Sequence, residues 1–297
     1  MKFGILITGL SLALGGCAHL SIAPSTRQAP DLKVVSWNLE FLAERDGAGC
    51  KPRTAADYAQ MRQIADSLNA DVIAFQEAEN PAAAARVFDP SRYTIIMETR
   101  LGDVSGKCGG RQPEQTFIRQ AVGFAIRKDL AFDRAADLTA LQVGNPNLRS
   151  GVDITVRPAG GRPLRLLAVH LKSGCFSGST GPACDTLAQQ VPVLEDWIDA
   201  AARGDTRFVV LGDWNRRLAV PGDAVWIDLD DGDPADSDLT LADDGVVPRC
   251  DPRFTAFIDH IVLDRRSAVD FRRFSELTYA TANHPSDHCP ISAVIAR

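Results

Sequence analysis

Residues 207–215 read Arg-Phe-Val-Val-Leu-Gly-Asp-Trp-Asn, an apolar run of strand length that stops on a glycine, a carboxylate and an amide. β-Branched and apolar side chains favour a buried strand, and the polar residues that follow are delivered at its end. Working outward, the same device recurs. Leu32–Ser36 leads to Trp37-Asn38, Val72–Phe75 to Gln76-Glu77, and Leu166–Val169 to His170. Ile258-Asp259-His260 and Ser286-Asp287-His288 add two more carboxylate–imidazole neighbours. Carboxylates, amides and imidazoles brought by several strand ends can converge on one point, which is how a metal-assisted hydrolytic site is built.

Helical signals between these runs are few. Thr54 opens a helix with Asp57 as a capping-box-like partner, and Tyr58, Met61, Ile64, Ala65 and Leu68 form one apolar stripe. Pro81–Val87 and Ala224–Leu229 read as short helices. Leu187, Val191, Leu194, Ile198 and Ala201 have helical period, and Pro192 makes that helix either begin or kink there. Further strands are expected at Tyr93–Met97, Ala121–Ile126, Leu138–Val143, Gly151–Val156, Phe257–Leu263, Leu277–Ala280 and Ile291–Ile295. Many strands with few helices give an α/β chain. No internal repeat divides its 297 residues, and we expect one catalytic domain over 31–297.

The N-terminus reads as a targeting segment. Lys2 precedes an apolar stretch from Phe3 to Leu14, too short to span a bilayer. Leu14-Gly15-Gly16-Cys17 then resembles a bacterial lipobox, with Cys17 as the lipidated residue. The alternative is an ordinary signal peptide cleaved near Ala18 or Ala23. On the lipobox reading, 1–16 is a lipoprotein signal peptide and 17–30 a Ser/Pro/Ala tether. The protein is then exported and held in the bacterial cell envelope, with the outer membrane favoured and the domain in the periplasm or outside.

Cysteine usage agrees with export. Cys50, Cys108, Cys175, Cys184, Cys250 and Cys289 remain, an even number that suggests disulfides. Cys175 and Cys184 suit a short ring. Cys250–Cys289 is natural if the strand ends beside them are neighbours, which would leave Cys50–Cys108; sequence alone does not select the pairing. Structural zinc finds no close Cys-x-x-Cys or Cys/His pair. The Asp-rich run from Asp228 to Asp244 lacks the spacing of a calcium loop and reads as solvated loop.

The order of these motifs resembles the endonuclease/exonuclease/phosphatase superfamily, from Lys33 to the C-terminus. Gly-Asp-Trp-Asn at 212–215 and Ser-Asp-His at 286–288 carry most of the resemblance, and His170-Leu171-Lys172-Ser173-Gly174-Cys175 is most like a secreted bacterial branch. It implies a four-layer sandwich: two packed, mainly antiparallel β-sheets flanked by helices, with the site at one edge. It also implies divalent-metal-dependent hydrolysis of phosphodiesters, with Mg2+ first and Mn2+ or Ca2+ as alternatives.

In this frame Glu77, ending an apolar strand, is the leading metal ligand, since an unpaired carboxylate there would be costly. Asn38 either ligates the same metal or orients Glu77. Asp287 resembles the family's additional metal-binding carboxylate. Asp259 and His288 form an acid–base pair, His288 activating water and Asp259 fixing its tautomer. Strand alternation lets only one of Asp259 and His260 face the site; the resemblance chooses Asp259, which leaves His260 as a structural histidine. Asp213 and Asn215, two apart, share a face in extended geometry, one aligning water and the other donating to a phosphoryl oxygen. Trp214 between them packs. His170 resembles the family histidine that contacts the phosphoryl or leaving oxygen. The nucleases' mid-chain Tyr is missing from Arg119–Phe124, which leaves Arg119 or Gln120 to substitute.

Charge bears on the substrate. The net charge of −6 counts against tight, sequence-independent DNA binding, although Arg100, Lys107, Arg111 and Arg119 form a local basic set that could track a phosphate backbone. Nucleic acid is the leading substrate class, cut by a monomer that meets the membrane only through its lipid. A phospholipid, sphingomyelin or small phosphoester hydrolase is the alternative, but no apolar hairpin is evident and aromatics are only 7%. A non-catalytic surface binding module is the remaining class, and every matched catalytic position is intact.

Overall fold

The computed structural model describes Met1 and residues 31–297, except 101, 103–105, 111, 236 and 280–283. The signal peptide, the tether, Cys17 and Arg111 lie outside the described residues. In chain order the elements are β1 (Leu32–Leu42), α1 (Ala55–Leu68), β2 (Val72–Ala78), α2 (Pro81–Val87), β3 (Tyr93–Met97), β4 (Ala121–Arg127) and β5 (Ala131–Arg134). A short 3-10 turn at Thr139–Gln142 is followed by β6 (Val152–Arg157), β7 (Leu164–His170), α3 (Pro182–Ala202), β8 (Arg207–Asp213) and α4 (Ala224–Leu229). β9 (Leu239–Leu241), β10 (Asp259–Asp264), α5 (Arg265–Asp270), β11 (Phe271–Glu276) and β12 (Ile291–Ile295) complete them.

Two six-stranded sheets result, ordered β11-β12-β1-β2-β4-β3 and β5-β6-β7-β8-β10-β9. Only β1–β2 and β7–β8 are parallel, each joined by a helical crossover, α1 or α3; the other pairs are antiparallel. Alternation along the strands sorts the apolar residues into three layers of packing. Val34, Ala74, Phe124, Leu166, Val209 and Ile261 fill the space between the sheets. Val35, Ile73 and Phe75 face α1 and α2 on one outer side, and Leu167, Val210 and Phe208 face α3 on the other. The expected four-layer, mainly antiparallel sandwich is therefore the observed fold.

The same topology creates the functional edge. The parallel strands β1, β2, β7 and β8 all end on one side, and the antiparallel β10 and β12 begin there. Gly212 is required for this closeness, because a Cβ on it would lie 2.0 Å from the carbonyl oxygen of Val169 on β7. The disulfides Cys50–Cys108, Cys175–Cys184 and Cys250–Cys289 join segments at that same edge. No helix among the described residues is long and apolar enough to cross a membrane.

Three local expectations are corrected. Leu138–Val143 is no strand: only Leu138 bridges to Gly151, and Val143 turns left-handed (φ 42°) after a 3-10 turn. The strand placed at Leu277–Ala280 lies earlier, at Phe271–Glu276, where it pairs with β12; Ala280 is outside the described residues. Of the two readings at Pro192, a helix that begins there is excluded, because α3 runs through it from Pro182. Pro192 and Ala188, whose carbonyl loses its partner, are both exposed, so water can take the missing bond's place. β5 went unread because Ala-Phe-Asp-Arg is a short, largely exposed edge strand with no apolar run.

Candidate active site

Three of the polar strand ends are brought together by register alone. His170 on β7 and Asp259 on β10 both pair with Asp213 of β8, so three functional side chains stand in a row across the second sheet. The first sheet contributes Asn38 and Glu77 from its parallel strands. His288 comes from the loop entering β12. Its backbone is held in place when the hydroxyl of Ser286 donates to the Asn38 carbonyl (2.7 Å) and accepts from the His288 amide (3.1 Å).

Asp213 Oδ2 is the hub. The Asn38 amide nitrogen donates to it at 3.0 Å, His170 Nε2 lies at 3.4 Å, and His288 Nε2 at 3.9 Å. The other oxygen of Asp213 accepts the Asn215 backbone amide at 2.9 Å. On the far side of His288, Nδ1 meets Asp259 Oδ2 at 2.6 Å. Glu77 Oε2 accepts the Phe41 amide at 3.0 Å, and its Oε1 lies 3.4 Å from the Asn38 nitrogen and 3.9 Å from His170 Nε2. The Asn38 oxygen is taken by the Glu40 amide at 2.9 Å, so its nitrogen is turned toward both carboxylates.

Burial sets the charges. Burial first, then the Asp259 charge, pushes Asp213 up to about 7. Burial opposes protonation of His288, yet the charge and hydrogen bond of Asp259 hold its pKa well above 6.5. His170 goes the opposite way, lowered well below 6.5 by burial and then by the Arg149 guanidinium. The two imidazoles are thus driven in opposite directions, His288 toward its charged form and His170 toward its neutral form.

Backbone strain is concentrated here. Glu40, Phe41, Glu77 and Asn215 all adopt left-handed φ values of 45°, 51°, 63° and 52°. Non-glycine residues are held this way only where surroundings over-determine them, and such positions cluster at functional sites. One expectation fails on this account. Asn215 does not share a face with Asp213 by strand alternation, because β8 ends at Asp213 and the chain turns. The Asn215 side chain instead donates to the Leu171 carbonyl at 3.2 Å.

His260 is structural, as expected: fully buried, with Nδ1 on Asp243 at 2.9 Å and Nε2 on the Arg216 carbonyl at 2.8 Å. Asp243, read as part of a solvated loop, is therefore a buried partner. Trp214 is fully buried and packs. Asp287 stands at the solvent side of the site, its side chain 64% exposed, with its amide on Glu40 Oε2 at 2.9 Å.

Among the described residues, the basic set of the 99–119 loop is engaged within the loop or directly beside it. Arg100 is buried against Glu98, Arg119 donates to the carbonyls of Glu98 and Arg100, and Lys107 donates to the Glu114 carbonyl. A cleft of about 630 Å³ opens instead between residues 45–49 and 115–119, with Arg45, Asn80, Phe117 and Arg119 in its walls. The Phe41 and Phe117 rings, 5.9 Å apart, connect it to the Glu77 region.

Sequence reading missed Glu40 and Arg149. Glu40 lies two residues beyond Asn38 and carries a carboxylate toward Asp287; an Asn-x-Glu spacing at a strand end was the available signal. Arg149 is a buried guanidinium whose terminal nitrogen donates to the Leu171 carbonyl at 2.9 Å and which senses Glu77 and Asp213. It precedes β6 in a polar segment that gave no signal.

A family model described as the Endonuclease/Exonuclease/phosphatase family matches residues 35–288. None of the curated proteins compared with it matches the chain significantly. Among solved structures, D. rerio TDP2 complexed with a single strand DNA product is 19% identical, with a TM-score of 0.60, covering 89% of this chain and 98% of that one. The 3' phosphatase NExo from Neisseria, bound to a product DNA hairpin, is 17% identical with a TM-score of 0.56, covering 89% and 99%. An endonuclease/exonuclease/phosphatase family protein from Bacteroides thetaiotaomicron is 16% identical with a TM-score of 0.55, covering 90% and 98%.

Proposed function

The chain belongs to the endonuclease/exonuclease/phosphatase family, a family of phosphoester hydrolases, and from that premise we propose that it is a divalent-cation-dependent phosphodiesterase acting on nucleic acid. The observation that carries the reading is the convergence of the Asp259–His288 pair, His170 and Glu77 around the buried carboxylate of Asp213. That TDP2 and NExo structures of the same fold hold DNA supports the substrate class.

The donor set fits a hard cation. Glu77, Asp213, Asp259, Glu40 and Asp287 gather at one edge, and carboxylates so crowded and partly buried need positive charge nearby. Asp213, Asp259 and His288 are also close enough to share an ion. We assign them otherwise, because the short His288–Asp259 bond already commits those two groups to each other. Glu77 and Asp287 would hold Mg2+, or Mn2+ or Ca2+, with Glu40 beside them. A bound cation there supplies neutralisation of phosphoryl charge.

The chain's own groups do the rest. His288 takes a proton from water at Nε2, since Nδ1 is fixed on Asp259. Asp213 aligns that water from between the two imidazoles. Asn38 orients Glu77 and Asp213 through its amide nitrogen. Neutral His170, beside Asp213, is placed to donate to a phosphoryl or leaving oxygen, and Asn215 would do the same on releasing the Leu171 carbonyl.

A substrate panel with Mg2+ or Mn2+ tests the reading. Hydrolysis of plasmid DNA, RNA or bis-p-nitrophenyl phosphate that is abolished by EDTA is expected. Undiminished rates in EDTA, or turnover of sphingomyelin or inositol phosphates alone, would overturn it. We also propose that the domain is exported as a lipoprotein acylated on Cys17, on the strength of Leu14-Gly15-Gly16-Cys17. Intact mass of membrane-extracted protein should show a lipidated chain starting at Cys17; an unmodified start beyond it would refute this.

A further inference from the structure

Arg53 is almost completely buried, at 3% exposure, yet its side chain forms no salt bridge among the described residues. Its guanidinium instead meets three backbone carbonyls from two separate segments. One terminal nitrogen donates to Leu39 at 2.8 Å and to Pro285 at 2.6 Å. The other donates to Phe41 at 3.3 Å, and Nε donates to Pro285 at 3.2 Å. Leu39 and Phe41 flank Glu40, whose backbone is left-handed; Pro285 opens the loop that carries Ser286, Asp287 and His288. Burying an unpaired guanidinium costs stability, as the lowering of its pKa by burial reflects, so a compensating gain must come from what it holds.

We propose that Arg53 is a positioning residue that staples the end of β1 to the 285–288 loop and so holds Glu40 and Asp287 side by side as a cation-binding pair. This rests on the cation-dependent reading above. The two residues are already joined across the segments, the Asp287 amide donating to Glu40 Oε2 at 2.9 Å, an oxygen that also meets Lys51 Nζ at 2.9 Å. Like charges on the two carboxylates repel, so without a staple the segments can separate. The staple works through carbonyls and itself occupies no carboxylate oxygen of the pair. Only a planar fork of donors reaches both segments at once; a lysine ammonium can take one side. Arg53 is itself anchored, since Thr54 caps α1 immediately after it and Cys50 is bonded to Cys108 just before.

Two measurements on purified oxidised protein separate this from general destabilisation. The first is amide hydrogen exchange in EDTA. The Phe41 amide, on Glu77, and the Asp287 amide, on Glu40, should exchange at least about tenfold faster in Arg53→Lys and Arg53→Met, while β8 amides stay protected. The second is Mn2+ titration without substrate, where Arg53→Lys should weaken binding by roughly tenfold to a hundredfold, the usual effect of losing a group that orients ligands. Arg207→Lys is the control. Arg207 is equally buried, at 2%, and also binds carbonyls, together with the Asp270 carboxylate at 2.7 Å, but at the start of β8, away from the site. It should lower the melting temperature and leave Mn2+ affinity within about twofold of wild type. Unchanged exchange at Phe41 and Asp287, equal Mn2+ loss in Arg207→Lys, or Arg53 variants that do not fold would each overturn the proposal. Failure of the wild type to bind Mn2+, with the exchange result intact, would instead count against the cation reading.

Discussion

Glu77→Gln is expected to lower phosphodiester turnover by about a thousandfold, the loss of roughly 4 kcal/mol that a cation contributes to a charged transition state. The substitution keeps the size of the side chain and its ability to accept the Phe41 amide, so the left-handed backbone at 77 is retained. What it removes is the charge. Two measurements identify the cause. Saturating Mn2+ should raise the melting temperature of the wild type and leave that of Glu77→Gln nearly unmoved, and turnover should not recover at high Mn2+. A variant within about tenfold of wild type would show that Glu77 does not place the cation.

Asp259→Asn should cost roughly a hundredfold to ten-thousandfold, the range for a misdirected general base, and should also move the pH profile. The sign follows from the His288 pair. With Asp259 ionised, His288 keeps its proton well above pH 6.5, so the basic form that accepts a proton from water accumulates only as pH rises. Removing the Asp259 charge leaves burial opposed only by the smaller effects of Asp213 and Asp287, so the balance moves toward the neutral imidazole. The ascending limb of kcat against pH should therefore shift to lower pH while its plateau falls. His288→Ala should lose the plateau and the limb together. A profile for Asp259→Asn that falls without shifting would remove His288 as the titrating base.

The fold was legible because its strands are buried on both faces, and such strands appear as unbroken apolar runs that need no partner to be recognised. Phe208-Val209-Val210-Leu211 is one, and the residues at its end are placed by register, which the topology fixes. Hence the convergence of His170, Asp213 and Asp259 could be anticipated from their places at strand ends, while the choice of Asp259 over His260 came from the family resemblance. Arg53 could not, because an arginine that bonds carbonyls of residues 39, 41 and 285 has no local signature. Asn215 was misread for a related reason: whether a strand continues past Asp213 depends on the Asp213 carboxylate capturing the Asn215 amide, a tertiary event. Glu40 was hidden by a left-handed backbone that alternation does not anticipate.

The three disulfides are spread unevenly. The apolar layer between the sheets contains no cysteine, whereas every bridge pins a segment beside the catalytic edge, and Cys289 follows His288 directly. The sandwich is thus held by apolar burial alone, while the loops that carry the catalytic edge are tied to one another covalently, so the two parts of the molecule resist unfolding by different means.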